Sequence, residues 1–201
     1  MRRNILAIPV PLMSAEEIGE LVTNGERTSG ITVTPAARDH IVAISAGSPY
    51  IASLLCHHAA LDAIDDQRLD VLPSDVASAL EQALGELSTR ISKNTMGQVR
   101  RLVNESGTDL LSLIASASLA GGGEFDAAML DAKAGTATKA ARCKSIVGEL
   151  AAQHILILER DDGFGKRYAF IEDAVPSYLW FLAAQQTFRD EDTAPQRVRA
   201  R

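Results

Sequence analysis

Residues 30–64 have the sequence GITVTPAARDHIVAISAGSPYIASLLCHHAALDAI, which contains the clearest helix-boundary signals of the first half. Thr34-Pro35 is a favourable helix start, because proline fits the first helical position, where its missing amide hydrogen is not needed. Gly47 stands where a left-handed residue ends a helix, and Ser48-Pro49 repeats the start signal. The stretch therefore predicts two consecutive helices, the second of which runs to about Ile64.

Two further helices complete the first half. Ser14 followed by Glu17 matches a capping box, and Asn24-Gly25 is a typical helix end. Pro73-Ser74-Asp75 opens a fourth helix, with leucines and valine at helical spacing behind it. Residues 1–90 are therefore expected to form a four-helix bundle.

The chain begins with a segment that predicts extended backbone over residues 5–13. Pro9 and Pro11 interrupt its apolar run, and proline is tolerated only in edge or terminal strands. The prolines, with Glu16 and Glu17 close behind, suit neither a signal peptide nor a membrane span. The 2 cysteines stand without a pairing motif, which fits a reducing compartment, so we expect a soluble cytoplasmic protein.

The second half predicts a linker helix and a small unit of helices and strands. Residues 91–107 read as the linker, and residues 108–190 as helices and a β-hairpin with strands at Ile155–Leu158 and Arg167–Ile171. The helices are expected from Thr108 to the glycines at 121–123, from Phe125 to Ala132, from Lys139 to Ala152 and from Ala174 to Phe188. Three helices and a hairpin make a winged helix, and residues 191–201 read as a flexible tail. The expected protein is thus mainly α.

Charge is distributed unevenly along the chain. Lys and Arg total 20 against 26 Asp and Glu, and the net charge of −6 excludes a polycation. Residues 1–90 contain 6 basic and 12 acidic side chains, whereas residues 91–201 contain 14 of each. Residues 133–144 carry four basic side chains and no acidic one. A local positive patch is therefore expected inside an acidic protein.

The first half also resembles a known family. Residues 8–22 (IPVPLMSAEEIGELV), the stretch 30–64 and residues 71–84 (VLPSDVASALEQAL) are together similar to the helical lid of AAA+ ATPases, nearest to the origin-recognition-like and STAND-type branches. In that family a helix ending in S-x-G-x-P leads into the helix that faces the nucleotide, and an arginine after the proline often contacts the γ-phosphate. The resemblance implies a nucleotide-facing motif here, in which tyrosine replaces the arginine and can stack on an adenine. Its residues are Gly47, Ser48, Pro49 and Tyr50.

The resemblance implies ATP and Mg²⁺ only together with a complete ATPase core, supplied in cis or in trans. No G-x-x-x-x-G-K-[ST] motif occurs in the chain. Gly165-Lys166 would match the end of this motif, but the position of its first glycine is occupied by Arg160, and Lys166 is followed by Arg167 where serine or threonine is required. No cofactor is therefore expected in this chain alone.

Neither a catalytic group nor a metal site is predicted. Cys56, His57 and His58 are adjacent, whereas chelation from one helix needs spacings of three or four residues. His40 and His154 stand alone in the sequence, without a readable nucleophile or carboxylate partner. Catalysis by this chain alone is therefore not expected.

The second half resembles the winged helix that follows the lid in STAND-type proteins, on the pattern YAFIEDAVPSYLWFLAAQ over residues 168–185. In helix-turn-helix modules the third helix enters the major groove of DNA and the wing contacts phosphates. The candidate contacts to DNA or to a partner are basic side chains of the third helix and the wing. They are Lys139, Arg142 and Lys144 on the helix, and Arg160, Lys166 and Arg167 on the wing. Because residues 91–201 carry as many acidic as basic side chains, the charge favours contact with a protein over contact with DNA for this surface.

These observations predict an accessory function. The chain is expected to be the lid and winged-helix portion of an AAA+ or STAND-like ATP-binding protein, which couples nucleotide state to a protein or DNA partner. No membrane is expected among its partners. The alternative is a free-standing winged-helix DNA-binding regulator, whose acidic half dimerises or senses a ligand. A third interpretation is a degenerate gene remnant, which would explain a proline-containing strand without a sheet.

Overall fold

The computed structural model describes residues 12–161 and 165–198, excluding the side chains of residues 159–161 and 189–198. Within this part the protein is mainly α, as the sequence predicts. The helices are α1 (Ala15–Ser29), α2 (Pro35–Ser45), α3 (Pro49–Asp65), α4 (Pro73–Thr89), α5 (Lys93–Ser106), α6 (Thr108–Ala120), α7 (Ala127–Ala134), α8 (Ala137–Ala152) and α9 (Ala174–Val198). The strands are β1 (Thr32–Val33), β2 (Asp70–Val71), β3 (Glu124–Asp126), β4 (Leu156–Asp161) and β5 (Lys166–Phe170).

One hydrophobic core runs through both halves of the chain. We refer to residues 12–90 as the N-terminal region and to residues 108–198 as the C-terminal region, with α5 between them. Helix α9 packs against α6 in its own region and against α4 in the other. The indole N–H of Trp180 on α9 donates a hydrogen bond to the carbonyl oxygen of Ile44 on α2, at 2.7 Å. The two regions are therefore joined by packing as well as by the chain.

A second link ties the start of α9 to the start of α5. The Glu172 carboxylate accepts hydrogen bonds from the Ser92 amide at 2.7 Å and from the Thr95 hydroxyl at 2.6 Å. These hydrogen bonds hold the pKa of Glu172 below its usual range. Because Glu172 satisfies an amide at the helix start, it acts as a cap supplied from a distant part of the chain.

Helix α1 begins where the sequence predicts but ends later. The Ser14 hydroxyl oxygen accepts a hydrogen bond from the Glu17 amide at 3.2 Å, and the Glu17 carboxylate accepts one from the Ser14 amide at 2.7 Å. The predicted end at Asn24-Gly25 is wrong, because the helix continues to Ser29. A glycine inside a helix costs only about 1 kcal/mol. Gly30, with φ of 75°, provides the left-handed residue that ends α1.

Strands β1 and β2 form a parallel pair that the sequence did not predict. Thr32 pairs with Asp70 and Val33 with Val71. Thr34, at the N-cap of α2, does not cap the helix with its side chain, because its hydroxyl donates a hydrogen bond to the Val71 carbonyl oxygen at 2.9 Å. Strands of two residues are too short to show the alternation of apolar and polar side chains by which strands are recognised.

The turn between α2 and α3 is closely packed against the segment that precedes α1. Ala46 and Gly47 are both left-handed, with φ of 48° and 81°. The Gly47 carbonyl oxygen accepts a hydrogen bond from the Met13 amide at 2.9 Å, and a Cβ on Gly47 would lie 2.5 Å from the Met13 carbonyl oxygen. Position 47 therefore requires glycine. The strand predicted over residues 5–13 lies outside the described residues, apart from Met13 and Leu12, whose backbone is irregular.

The C-terminal region contains a three-stranded antiparallel sheet in the order β3-β5-β4. The hairpin of β4 and β5 is predicted from the sequence, but β3 replaces the beginning of the helix expected from Phe125. The ring of Phe125 is buried, with its centroid 6.0 Å from that of Tyr168 and 6.1 Å from that of Phe170. Packing of these aromatic side chains favours a strand over the first turn of a helix.

Helix α9 is longer than the sequence predicts. Its backbone continues past Phe188 to Val198, and so extends into residues 191–198, which were expected to form a tail. No glycine occurs in residues 174–198 to provide a left-handed end. Among the described residues, no helix is both long enough and apolar enough to traverse a bilayer.

Candidate functional site

Helix α8 carries the first group of predicted contact residues. The Thr136 hydroxyl oxygen caps it by accepting a hydrogen bond from the Lys139 amide at 3.3 Å. One side of α8 is buried at helical spacing, and its residues are Ala140, Cys143, Ile146, Val147 and Leu150. The exposed side carries the charged residues Lys139, Arg142, Lys144 and Glu149, with small residues between them, namely Thr138, Ala141, Ser145 and Gly148. Any partner of this helix would therefore meet three positive charges and one negative charge.

The three basic residues of α8 differ in their surroundings. Lys139 and Arg142 are exposed, and neither forms an ion pair with a carboxylate among the described side chains. They are three residues apart and therefore neighbours on the helix surface. Lys144, in contrast, lies 2.7 Å from the Asp131 carboxylate of α7. Its charge is thus largely compensated within the protein.

The β4–β5 hairpin carries the second group of predicted contact residues. β4 packs against α8, so the hairpin lies beside that helix. Arg167 is compensated, since its guanidinium lies 3.4 Å from the Glu124 carboxylate on β3. Lys166 is exposed, and within the described part of the chain no carboxylate is paired with it. The side chain of Arg160 lies outside the described residues.

The sequence did not reveal the two carboxylates that compensate the charges of Lys144 and Arg167. Asp131 precedes Lys144 by thirteen residues, on a different helix, and Glu124 lies on the strand that was predicted as a helix. No spacing rule connects either pair, because both depend on tertiary contacts. Among the predicted cations whose side chains the structure describes, Lys139, Arg142 and Lys166 have no ion pair with a described carboxylate. Such side chains can contact phosphates.

The motif that was predicted to face a nucleotide lies at the start of α3. The Ser48 hydroxyl oxygen caps the helix by accepting a hydrogen bond from the Ile51 amide at 3.4 Å, and Pro49 is the first helical residue. Gly47 makes the close turn described above. Tyr50 is 57% exposed. Local structure thus accounts for the first three residues of the motif, whereas the Tyr50 ring stands in solvent, where an external ring can stack on it.

The cysteines have the properties of core residues. Burial, together with the negative charge of Glu26, raises the pKa of the Cys56 thiol to about 11, against a smaller opposing effect of Arg38. Burial also raises the pKa of Cys143. Both side chains are neutral thiols near pH 7, which suits packing better than nucleophilic attack or metal binding. In the part of the chain that the structure describes, no group of three His, Cys, Asp or Glu side chains is placed to hold a metal ion.

Comparisons with known proteins give a distant structural likeness and no sequence match. No family model matches the sequence, and no curated protein matches it. The structure of the ORC2 protein of Aeropyrum pernix (ADPNP-ADP complexes) is similar over 89% of this chain, with 14% sequence identity and a TM-score of 0.31. The matched part is 48% of that protein's chain, so the chain spans about half its length. A TM-score of this size does not establish a shared fold.

Proposed function

We propose that the chain is the lid and winged-helix part of an AAA+-like ATP-binding protein, and that α8 and the β4–β5 hairpin contact duplex DNA. The observation that carries the proposal concerns Lys139 and Arg142, which are exposed and have no ion-pair partner among the described residues. They lie on α8, the third helix of a unit whose elements follow the order helix, strand, helix, helix, hairpin. That element order and the sheet order β3-β5-β4 are those expected of a winged helix.

The surface chemistry supports contact with the phosphates. Lysine and arginine neutralise phosphates and release their counterions, which makes binding strongly dependent on salt. The small side chains on the exposed side of α8 leave room for the helix to enter a groove. The compensated pairs at Lys144 and Arg167 reduce the number of available cations, so we expect weak binding that does not depend on sequence, with Kd in the range of about 10⁻⁶ to 10⁻⁴ M.

The N-terminal region is assigned the lid role. The turn at Gly47 fixes the segment before α1 against the start of α3, and Tyr50 is exposed beside that turn. A nucleotide bound by an ATPase core, in cis or in trans, would contact this end of α3, and the contact of α9 with α4 would transmit its state to the winged helix. ATP and Mg²⁺ belong to the core in this proposal, so the chain alone is expected not to hydrolyse ATP.

The test is binding to a fluorescein-labelled DNA duplex, followed by anisotropy over a series of salt concentrations. The double variant Lys139→Ala plus Arg142→Ala should weaken binding and reduce the log–log salt slope by about 1.8, about 0.9 for each lost phosphate contact. The matched control is Lys93→Ala plus Arg100→Ala, which removes one lysine and one arginine from exposed positions of α5. The control should leave the slope nearly unchanged.

Two outcomes would change the proposal. If both double variants lower the slope equally, the DNA contact is not located on α8, and a protein partner becomes the better interpretation of that surface. If the chain alone binds one sequence with Kd below about 10⁻⁸ M, it has the affinity of a specific DNA-binding protein. That result would favour the free-standing regulator.

A further inference from the structure

A groove of about 430 Å³ opens where α2, α6 and α9 meet, and none of the residues that line it belongs to the proposed DNA-contact elements. Several of the side chains that line it are small, among them Ala43 on α2, Ser112 on α6 and Ala183 and Ala184 on α9. Larger side chains at these positions would fill the space between the helices, since protein interiors are otherwise close-packed. The groove therefore exists because these three helices meet through small residues.

Three aromatic rings line the same groove. The rings of His40 and Phe188 are 4.4 Å apart between centroids and tilted by 47°. The third ring, that of Trp180, is held in place by its hydrogen bond to the Ile44 carbonyl oxygen. Among these rings, the faces of Phe188 and Trp180 carry the negative charge that attracts cations. Because these rings are already held by protein contacts, little ordering is needed when a ligand binds.

The charge of the groove also favours a cation. Asp109, in the first turn of α6, is the only carboxylate that lines it within the described part of the chain, and no lysine or arginine of that part lines it. The Asp109 side chain is exposed and has no ion pair with a described side chain. A negative charge beside aromatic rings is a combination that recognises positively charged groups.

We propose that this groove binds an arginine side chain of a partner polypeptide. A guanidinium group is planar, so it stacks on aromatic rings while its N–H groups pair with a carboxylate such as Asp109. It is also less strongly hydrated than an ammonium group, which lowers the cost of entering a partly apolar groove. The site goes beyond the proposed function, because none of its residues belongs to α8 or to the hairpin. It contacts both regions, so a bound arginine would hold them together.

The experiment uses the fluorescence of Trp180, the only tryptophan in the chain, as the readout. The probe is the peptide acetyl-Gly-Arg-Gly-amide, and the comparison peptide carries citrulline, which has the same shape without the charge. We expect a saturable change with the arginine peptide and at least about five-fold weaker binding of the citrulline peptide. A lack of saturation up to about 10 mM arginine peptide, or equal binding of both peptides, would overturn the proposal.

Variants locate the binding site. Asp109→Asn should weaken binding of the arginine peptide by at least about five-fold, whereas Asp65→Asn, an exposed change at the end of α3, should not. Ala183→Leu should also weaken binding, because it fills the groove. If the arginine peptide binds all three variants as tightly as it binds the unmodified protein, the peptide binds elsewhere and the groove is not the site.

Discussion

In the N-terminal region, Arg38 and Arg68 are bound to carboxylates of other elements, whereas in the C-terminal region Lys139 and Arg142 of α8 face solvent. Arg38 on α2 lies 2.6 Å from the Glu26 carboxylate on α1. Arg68, in the loop before β2, lies 2.7 Å from the Asp75 carboxylate on α4, and Asp75 is only 5% exposed. These ion pairs are part of the fold.

The ion pairs of the C-terminal region are of a different kind. The side chains of Lys144 and Asp131 are 45% and 51% exposed, and Arg167 and Glu124 are similarly open to solvent. Exposed pairs contribute about 0–1 kcal/mol to stability, because solvent and salt screen them. The comparison shows that the same residue types stabilise one region and set the surface charge of the other, and that burial decides between the two roles.

The largest expected effect tests whether the two regions unfold together. Leu80→Ala on α4 and Leu150→Ala on α8 each remove a leucine that is 0% exposed, so each should lower the free energy of unfolding by about 3 kcal/mol. Because α9 packs against α4 and α6, we expect each variant to shift one common transition. Urea unfolding followed by far-ultraviolet circular dichroism and by Trp180 fluorescence measures this.

Two separate transitions, each moved by only one of the variants, would contradict a shared core. The regions would then be independent domains, and the link through α9 would be too weak for the proposed coupling between the N-terminal and the C-terminal region.

The next effect concerns the buried carboxylate of the N-terminal region. Burial disfavours the charged form of Asp75, but hydrogen bonds from the Arg68 guanidinium and the Leu72 amide prevail, so its pKa lies below the ordinary value. We expect Asp75→Asn to lower the free energy of unfolding by about 2 kcal/mol near pH 7. A carboxyl whose pKa is lower in the folded than in the unfolded protein stabilises the fold at pH values above its pKa in the unfolded chain, which is about 4. This stabilisation is lost as the pH falls through the lower pKa of the folded protein.

Denaturant unfolding between neutral pH and about pH 2 should therefore show the difference between the unmodified protein and Asp75→Asn shrinking below about pH 4. The control is Asp66→Asn. Asp66 contacts the same arginine at 3.0 Å, but its side chain is 70% exposed, so its effect should stay within about 0.5 kcal/mol. Equal effects of the two variants would show that burial does not distinguish these carboxylates.

The smallest effect tests the exposed pairs of the C-terminal region. The double variant Asp131→Asn plus Glu124→Gln should free Lys144 and Arg167 for phosphate contacts, with little change in stability. DNA affinity at low salt should rise, and the log–log salt slope should steepen by up to about 1.8. Anisotropy with the labelled duplex measures both quantities.

The matched control for this double variant is Asp39→Asn plus Glu20→Gln, which makes the same change in net charge at exposed positions of α2 and α1. If this control raises DNA affinity as much, the gain comes from the overall charge of the protein and not from the two freed cations.

The parts of the fold that depend on local signals could be predicted from the sequence. The capping box at Ser14, the proline starts of α2 and α3 and the hairpin of β4 and β5 all lie where the sequence places them, because a few neighbouring residues determine them. The end of α1 was mistaken because Asn24-Gly25 is compatible with both a turn and a helix, and the sequence alone does not show which one packing favours.

The parts that depend on distant contacts could not be predicted. Strand β3 forms against β5, whose Tyr168 is paired with Phe125 forty-three residues away. The exposure of Lys139 and Arg142 follows from helical spacing, but the compensation of Lys144 and Arg167 requires knowledge of which helices and strands lie together. The candidate surface could thus be located from the sequence, while its available charge could not.

The parallel pairing of β1 with β2 also has a kinetic consequence. Thr32 and Asp70 are separated by the whole of α2 and α3, so the two strands meet only after a long segment of chain has been closed into a loop. Closing the loop costs conformational entropy before the strand pairing can form and stabilise the protein, so such non-local contacts slow folding. We therefore expect the helices of the N-terminal region to form first and this small sheet to close late, as the step that fixes the positions of α2 and α4.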